Sequence, residues 1–386
     1  MSAVSSPAPV SQVTPLLQQP FRPLFLCASG FASAGLLLWA TFLHLGLLPA
    51  SSLPPLEWHG HEMLFGFGGA LVAGFLLTAV AEWTKLRTFT PAVLLLLVAV
   101  WLAARALFLL PGVVPYAIAA IVDCAFFGLL LLMLAPPIIK SRNRRNYFVI
   151  ALLSAFTLAD VAFHLSVSGI LHLSAARVLY WVIDLFTVLM LTIGGRVIPF
   201  FTGRRLQNAK PQRYRWLDWS VNGGAALLVL LDILLPGSVV LAVVALMVAA
   251  LVLVRWWNWQ PWKTWREPML WVLHLGYLWL AVALALRGVA LLTSALPEIT
   301  ALHAITVGAL GSLSIGMMTR VALGHSGRPL KAGAFMATAF ALVSVATILR
   351  LSGTPGLLPL AGVLWALAFA VYFLRFLPVM LKPRRS

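Results

Sequence analysis

The stretch EMLFGFGGALVAGFLLTAVA, residues 62–81, decides the fold of this protein. It contains a single charged side chain, Glu62, at its first position. A helix needs about 20 predominantly apolar residues to cross a bilayer. Similar stretches recur along the whole chain of 386 residues, which is 62% hydrophobic and only 10% charged. A soluble domain carries roughly 25% charged residues. The sequence therefore predicts an all-α, polytopic integral membrane protein.

About twelve transmembrane helices are predicted, because that many apolar segments are long enough to span a bilayer. They lie at residues 24–47, 62–81, 91–110, 114–135, 147–169, 178–200, 217–235, 238–255, 270–292, 299–319, 332–351 and 357–377. The weakest division falls within 217–255, where only Pro236 and Gly237 separate two segments. We expect a single transmembrane domain over residues 21–386. Residues 1–20, rich in Ser, Pro and Gln, are expected to form a disordered cytoplasmic tail.

The basic residues predict how the helices are oriented. They cluster in the loops after the second, fourth, sixth, eighth and tenth helices and in the C-terminal tail, whereas the opposite loops contain essentially one, Arg177. Because loops rich in Lys and Arg stay in the cytoplasm, both termini are predicted to be cytoplasmic. The net charge of +17 is then explained by membrane topology. A lipid bilayer is therefore the expected surrounding, and no nucleic acid partner is expected.

An internal repeat relates the second and tenth helices. His61 and His303 are each followed by three glycines at the same offsets, Gly66, Gly69 and Gly74 in one copy and Gly308, Gly311 and Gly316 in the other. Arg196-Val197, near the end of the sixth helix, matches Arg320-Val321 of the tenth. This spacing suggests internal four-helix repeats, although the sixth helix lacks the histidine. The glycines let neighbouring helices pack closely, leave a bare surface for a flat macrocycle, or do both on different parts of the helix.

Ionisable side chains gather at one predicted side of the bilayer. Such side chains are costly at membrane depth and are usually functional. In the predicted topology the outer halves of the helices hold His44, His59, His61, His164, His172, His303, Glu62, Asp123, Asp160, Asp184, Arg105, Arg287 and Arg350. Only His274 and His325 fall toward the inner side. We therefore expect a functional site near the outer, periplasmic face.

Histidine is the commonest metal ligand, and the candidate ligands in this part of the chain are His59, His61, His164 and His303. His61 and His303 hold matching positions of the repeat, as two axial ligands of a heme or two ligands of copper would. Asp160 lies four residues before His164 on the same helix face. A carboxylate in that position commonly orients a ligating histidine.

His59 and His61 are two residues apart, so on a regular helix they point to opposite faces. Both reach one metal only if the helix begins after them. The alternative for any single intramembrane histidine is a hydrogen-bonded contact between helices.

Charged residues complete the predicted site. Arg105 and Arg287 are candidates for binding the propionates of a heme. Glu62, Asp160 and Asp184 are candidates for supplying protons in catalysis. For Asp184, a structural hydrogen bond is an equal alternative.

Two long motifs resemble the NnrS family: WHGHEMLFGFGGALVAGFLLTAV (58–80) and HAITVGALGSLSIGMMTRVALGHSGRPL (303–330). PFRPLF (20–25) and GGRVIPFFT (194–202) extend the resemblance from about residue 20 to the C-terminus. One departure is AEWT at residues 81–84, where the family pattern has Pro-Asn-Trp-Thr. The resemblance implies a multi-pass protein of the bacterial inner membrane that contains heme b and copper and relieves nitrosative stress. It carries over His59, His61, His303 and His325 as metal ligands.

The favoured hypothesis is a heme and copper protein that protects against nitric oxide, with nitric oxide as its ligand or substrate. If the protein is an enzyme, it reduces two nitric oxide molecules with two electrons and two protons, and a quinol is a candidate electron donor. The chain has no adjacent His-His pair and no His followed four residues later by Tyr. It therefore does not resemble the established heme-copper oxidases. A transporter or exporter and a heme-binding sensor without turnover stay open as alternatives.

Overall fold

Twelve long apolar helices make up most of the computed structural model, which describes residues 14–293 and 295–384. Numbered in chain order, they are α1 (Phe21–Leu45), α2 (Pro55–Thr84), α3 (Pro91–Phe108), α4 (Tyr116–Lys140), α5 (Arg144–Val167), α6 (Ala175–Arg205), α7 (Arg215–Leu234), α8 (Val239–Trp257), α9 (Pro268–Thr293), α10 (Glu298–His325), α11 (Gly333–Leu351) and α12 (Pro355–Met380). Each is long and apolar enough to cross a membrane, and the described residues contain no strand. The predicted all-α fold with twelve spans is confirmed.

The short turn between α7 and α8 has clear local causes. Gly237 adopts a φ of +70°, in the left-handed region that glycine enters without a steric penalty. Ser238 then caps α8, because its Oγ accepts a hydrogen bond from the Leu241 backbone N–H at 3.2 Å. The weakest predicted division of the chain is thus a genuine break between two helices.

The two ends of the described chain meet at one end of the helix bundle. Arg22 is 1% exposed and donates hydrogen bonds to the carbonyl oxygens of Pro15 at 2.8 Å, Met380 at 3.1 Å and Lys382 at 2.8 Å. These bonds tie α1 to α12, and the two helices pack along each other. Because both ends of the described chain lie at the same end of the bundle, the chain crosses it an even number of times. That this end faces the cytoplasm stays a prediction.

The predicted disordered tail, residues 1–20, falls mostly on residues 1–13, outside the described part of the chain. In the part of this tail that the structure describes, Pro15–Leu17 form a single 3-10 turn.

Three helices form the centre of the bundle. In their most apolar stretches, 83% of α2, 83% of α6 and 72% of α10 is buried, against at most 61% for any other helix. These are the three helices that the sequence repeat relates. Their N-terminal ends lie beside the C-terminal ends of odd-numbered helices, as the ion pair of Glu62 with Arg105 shows. We call this end of the bundle the site end.

The repeat between α2 and α10 extends to an unusual backbone feature. A π-helical segment begins directly after His61, at Glu62–Phe67, and another begins directly after His303, at Ala304–Leu310. Such segments are rare and frequently occur at functional sites. The matching positions support the relation between the two helices that the sequence predicts.

The six repeat glycines lie against neighbouring side chains. A Cβ atom added at any of them would meet another residue's side chain at 3.2 Å or less, for example Phe25 from Gly74 and Val272 from Gly316, both at 2.8 Å. Protein side chains therefore occupy the space beside these glycines. Of the two interpretations left open by the sequence, close helix packing fits the structure and a bare surface for a macrocycle does not.

Candidate metal centre

Four buried side chains converge at the site end of the bundle. They are His61 on α2, Asp123 on α4, and Asp160 and His164 on α5, and one ligand atom from each lies within 4.8 Å of all the others. His61 and Asp160 are 0% exposed, and Asp123 and His164 are each 4% exposed. We call these residues the four-ligand centre. The sequence placed all four in the expected polar site, but it predicted only His61 and His164 as ligands.

The distances within the four-ligand centre suit a small metal ion. His61 Nε2 lies 2.8 Å from Asp123 Oδ2 and 3.6 Å from Asp160 Oδ1, whereas His164 Nε2 lies 3.2 Å and 3.4 Å from the same two oxygens. With ligand bonds of about 2.0–2.2 Å, ligand atoms around a tetrahedral ion are roughly 3.3–3.6 Å apart. Three of the four distances are therefore close to those that a bound ion would impose.

Neighbouring residues hold both imidazoles so that Nε2 faces the carboxylates. His61 Nδ1–H donates to Glu62 Oε1 at 3.1 Å, and the Tyr116 hydroxyl lies 2.7 Å from His164 Nδ1. A histidine that binds a metal through Nε2 commonly has its Nδ1–H engaged in this way, which fixes the ring and its tautomer. Tyr116 was not predicted from the sequence. Its position at the first residue of α4, two turns before Asp123, was the available signal.

Arg105 supports the carboxylates of this site. Its Nε lies 3.2 Å from Glu62 Oε2, and its guanidinium also pairs with Asp123. The predicted role of Arg105 in binding a heme propionate therefore competes with two protein partners. Glu62, predicted as a catalytic acid, lies beside His61 and Arg105.

The charge of the centre favours a cation. Three buried carboxylates, those of Glu62, Asp123 and Asp160, face one guanidinium, so two negative charges remain when the histidines are neutral. Neither oxygen of Asp160 has a hydrogen bond of ordinary geometry among the described residues. A buried, unpaired carboxylate is strongly unfavourable. A divalent ion would neutralise the excess charge and bind Asp160 more closely than the two imidazoles do at 3.4 and 3.6 Å.

The residue types indicate which group fits. Imidazole suits zinc, copper, iron and nickel, and carboxylate oxygens complete sites for their divalent ions. A heme does not fit at His61, because the ring is packed between aromatic rings, with centroids 5.0 Å from Phe65 and 4.7 Å from Phe163. The four-ligand centre therefore fits a bare divalent transition-metal ion.

His59 and His303 form a second group, which we call the histidine pair. The His59 ring stacks flat on Trp39, with centroids 4.2 Å apart and planes 6° apart, and its buried Nδ1 has no partner among the described residues. His303 Nδ1–H donates to the Ile299 carbonyl oxygen at 2.7 Å, and Arg350 lies 3.2 Å from both nitrogens of that ring. His59, His303 and Arg350 are close enough to interact electrostatically.

The structure separates histidines that the sequence had grouped. The helix of α2 begins at Pro55, before both His59 and His61, so the two side chains point to opposite faces. His61 joins the four-ligand centre, whereas His59 joins His303. The structure consequently does not bring His61 and His303 together, as two ligands of one heme or one copper would require.

Arg287 forms a third polar group, the Arg287 network. Its guanidinium is 0% exposed and donates to Asp184 Oδ1 at 2.7 Å, Asp232 Oδ1 at 2.7 Å and Glu298 Oε1 at 2.9 Å. All three of its nitrogens are engaged by carboxylates from α6, α7 and α10. Arg287 and Asp184, predicted to bind a propionate and to supply protons, are therefore paired with each other. The sequence did not predict that Asp232 and Glu298 bind Arg287.

The remaining histidines lie apart from these groups. His325 is the last residue of α10, about 33 Å along the helix from His303 at 1.5 Å per residue, and its ring lies 5.8 Å from that of Phe21. It cannot share a metal with His61 or His303 in this arrangement. His274 Nε2 lies 2.8 Å from the Thr202 hydroxyl. His44 and His172 are exposed.

The chain matches the model of a known protein family. The family model described as NnrS protein matches residues 15–384, nearly the whole chain. No curated protein matches the chain.

Proposed function

The chain belongs to the NnrS family, which makes it a membrane protein of the nitric oxide response, and we propose that it acts through a copper ion bound by His61, Asp123, Asp160 and His164. One observation supports this proposal above the others. Asp160 is completely buried, faces two imidazoles and a second carboxylate, and has no ordinary hydrogen bond among the described residues. A bound dication explains that arrangement physically.

For heme b, we propose the histidine pair as the binding region and not His61. The hydrogen bond from His303 Nδ1–H to Ile299 leaves Nε2 as the ring nitrogen that would bind iron, once Arg350 moves from its position 3.2 Å away. Arg350, beside the same ring, suits a carboxylate partner such as a propionate. Trp39 stacks on the His59 ring and fixes its orientation.

The reaction that we propose is the reduction of nitric oxide. Two nitric oxide molecules, two electrons and two protons give nitrous oxide and water, and a membrane quinol is the proposed class of electron donor. The bound metals would supply sites for nitric oxide and for electron transfer. Glu62 is the proposed proton-holding residue, because its carboxylate contacts His61 directly and its second oxygen contacts Arg105. Asp160 is assigned to the metal instead.

The location of the polar groups argues against a transporter. Substrate sites of secondary transporters lie near the bilayer midplane, at interrupted helices. Here His61 and His303 occur in the second turn of α2 and α10, and Arg105 and Arg350 occur in the last turn of α3 and α11. These groups lie at one end of the bundle, where a metal centre can exchange protons with the surface.

Metal analysis of the purified protein tests the copper site. We expect copper in the wild type, with an electron paramagnetic resonance signal that shows nitrogen ligands, and loss of that copper in Asp160→Asn and His61→Ala. His172→Gln, at an exposed histidine, is the control and should keep the copper. Full copper content in Asp160→Asn would refute the site, and so would a wild-type protein without a first-row metal.

Heme and turnover need separate measurements. His303→Ala is expected to lose the heme absorption band while keeping copper, because the structure places His303 outside the four-ligand centre. Consumption of nitric oxide by the wild type in the presence of a quinol, and its loss in Asp160→Asn, would support reduction. Binding of nitric oxide without consumption would support a sensor instead.

A further inference from the structure

An apolar cavity, open on one side, lies between the central helices α2, α6 and α10 and is also lined by residues of α1 and α9. Its volume is about 80 Å³, and its lining presents no polar surface. Ser314 is the only lining residue that has a polar side chain, and its hydroxyl donates to the Gly311 carbonyl oxygen at 2.9 Å. None of the residues of the four-ligand centre, the histidine pair or the Arg287 network lines this cavity.

The repeat places the same positions of all three central helices around the cavity. Leu71 and Leu313 each lie ten residues after the repeat histidine, and Leu189 takes that position when Arg196 is aligned with Arg320. All three line the cavity. The next position gives Val72, Met190 and Ser314, which also line it. The cavity therefore follows from the threefold arrangement and is not an isolated packing defect.

The volume of the cavity and its apolar lining indicate which kind of molecule it can bind. A single water molecule needs about 10–15 Å³ of such volume and two to four polar partners. The cavity offers ample volume and no free polar partner, so water is disfavoured and apolar guests are favoured. We propose that the cavity binds small, uncharged, apolar molecules of two or three heavy atoms. Nitric oxide is such a molecule, and its assignment as the physiological guest rests on the proposed function.

A row of aromatic rings leads from the cavity to the four-ligand centre. Phe186 lines the cavity, and ring centroids are 4.9 Å apart from Phe186 to Phe156, 5.5 Å from Phe156 to Phe127, 5.8 Å from Phe127 to Phe65 and 5.0 Å from Phe65 to His61. This apolar row is continuous from the centre of the bundle to a metal ligand. A gas molecule that diffuses between the cavity and His61 along this row would meet only apolar side chains on the way.

Xenon is the probe for the cavity, since it binds dry apolar cavities and needs no metal. We expect saturable xenon binding by the purified wild type, measured by xenon NMR against empty detergent micelles. Ser314→Leu extends a side chain into the cavity and should reduce the binding severalfold. Ser220→Leu, the same change at an exposed position of α7, should bind xenon as the wild type does. Equal binding by all three proteins would overturn the proposal.

A second variant keeps the test decisive if Ser314→Leu does not fold. Ile193→Ala enlarges the cavity and should increase xenon binding, so an unchanged binding isotherm would also overturn the proposal. Both variants should retain the copper content of the wild type. A wild type that binds xenon but contains no metal would refute the proposed function and leave the cavity proposal intact.

Displacement identifies the guest. In Asp160→Asn, where we expect no copper, nitric oxide should still displace xenon, and dioxygen is the comparison gas. Displacement by nitric oxide supports its storage in the cavity. Displacement by dioxygen alone would contradict nitric oxide as the guest.

Discussion

Replacement of Arg287 by Leu is expected to destabilise the protein far more than the loss of an exposed arginine. The Arg287 guanidinium contacts Asp184, Asp232 and Glu298 at 2.7–2.9 Å, and none of its surface is exposed. Asp184 and Asp232 are themselves 2% and 0% exposed. In Arg287→Leu both carboxylates would remain buried without the cation that holds them.

The magnitude follows from the burial of these groups. Breaking a buried ion pair by removal of one partner costs about 3–5 kcal/mol, because it leaves an uncompensated charge. Arg177, 3.3 Å from Asp232, offsets part of that cost. The exposed pair of Arg205 with Glu267 should contribute only about 0–1 kcal/mol. Arg205→Leu is therefore the matched control, since it also replaces an arginine by leucine.

Unfolding by sodium dodecyl sulfate in mixed micelles, followed by tryptophan fluorescence, measures the difference. The chain has 15 tryptophans, so the signal is strong. We expect the free energy of unfolding of Arg287→Leu to lie about 3–5 kcal/mol below that of the wild type and that of Arg205→Leu to stay within about 1 kcal/mol of it. Equal values for the two variants would refute the electrostatic argument.

A triple variant separates charge from packing. Arg287→Leu combined with Asp184→Asn and Asp232→Asn removes the buried charges together, and replacement of a whole buried ionic group is often close to neutral. We expect it to recover most of the lost stability. If the triple variant is as unstable as Arg287→Leu, lost packing and not charge is the cause.

Two further predictions concern the centre and the helix packing. Tyr116→Phe removes the hydroxyl 2.7 Å from His164 Nδ1. It should weaken metal binding about 10–100-fold, as measured by competition with a chelator. An unchanged metal affinity would contradict the role of Tyr116 in orienting His164. Gly74→Ala places a Cβ 2.8 Å from Phe25 and should cost about 1–3 kcal/mol in the same unfolding titration. Gly223→Ala, with nothing within 4 Å of the added atom, is the control. Equal unfolding midpoints for the two variants would show that Phe25 moves away from the Cβ added at residue 74 without a cost in stability.

The helices could be predicted from the sequence because the bilayer allows few solutions. Every backbone polar group must be satisfied inside the segment, so an apolar stretch of sufficient length becomes a helix. Even the break at Pro236 and Gly237 was visible as a local turn signal. The pairing of Asp160 with His164 was predictable for a similar reason, since both residues belong to one helix with fixed geometry.

The full ligand set could not be predicted, because it depends on which helices are neighbours and how each is rotated. Asp123 belongs to α4 and meets His61 only when α2, α4 and α5 pack together. Nothing in the local sequence of α4 distinguishes Asp123 from a structural aspartate. The partners of Arg287, which come from three other helices, were hidden for the same reason.

The separation of His59 from His61 was within reach of the sequence. The two residues share a site only if the helix begins after them, and Pro54-Pro55 precede both. Proline is favoured at the first position of a helix, where its missing N–H costs nothing. The structure indeed starts the helix at Pro55, and this signal would have assigned the two histidines to different faces.

Charge explains why one polar group at the site end fits a dication better than the others. The four-ligand centre, with Glu62 and Arg105, has two uncompensated negative charges when its histidines are neutral. In the Arg287 network three carboxylates meet two arginines, and one negative charge remains. Among the described residues, Arg350 is the charged partner of the histidine pair, which is therefore positive. The three polar groups of this repeated framework thus differ in net charge. A divalent ion is most stable in the group with the largest excess of negative charge, the four-ligand centre. Copper that survives Asp160→Asn but is lost in His303→Ala would contradict that assignment.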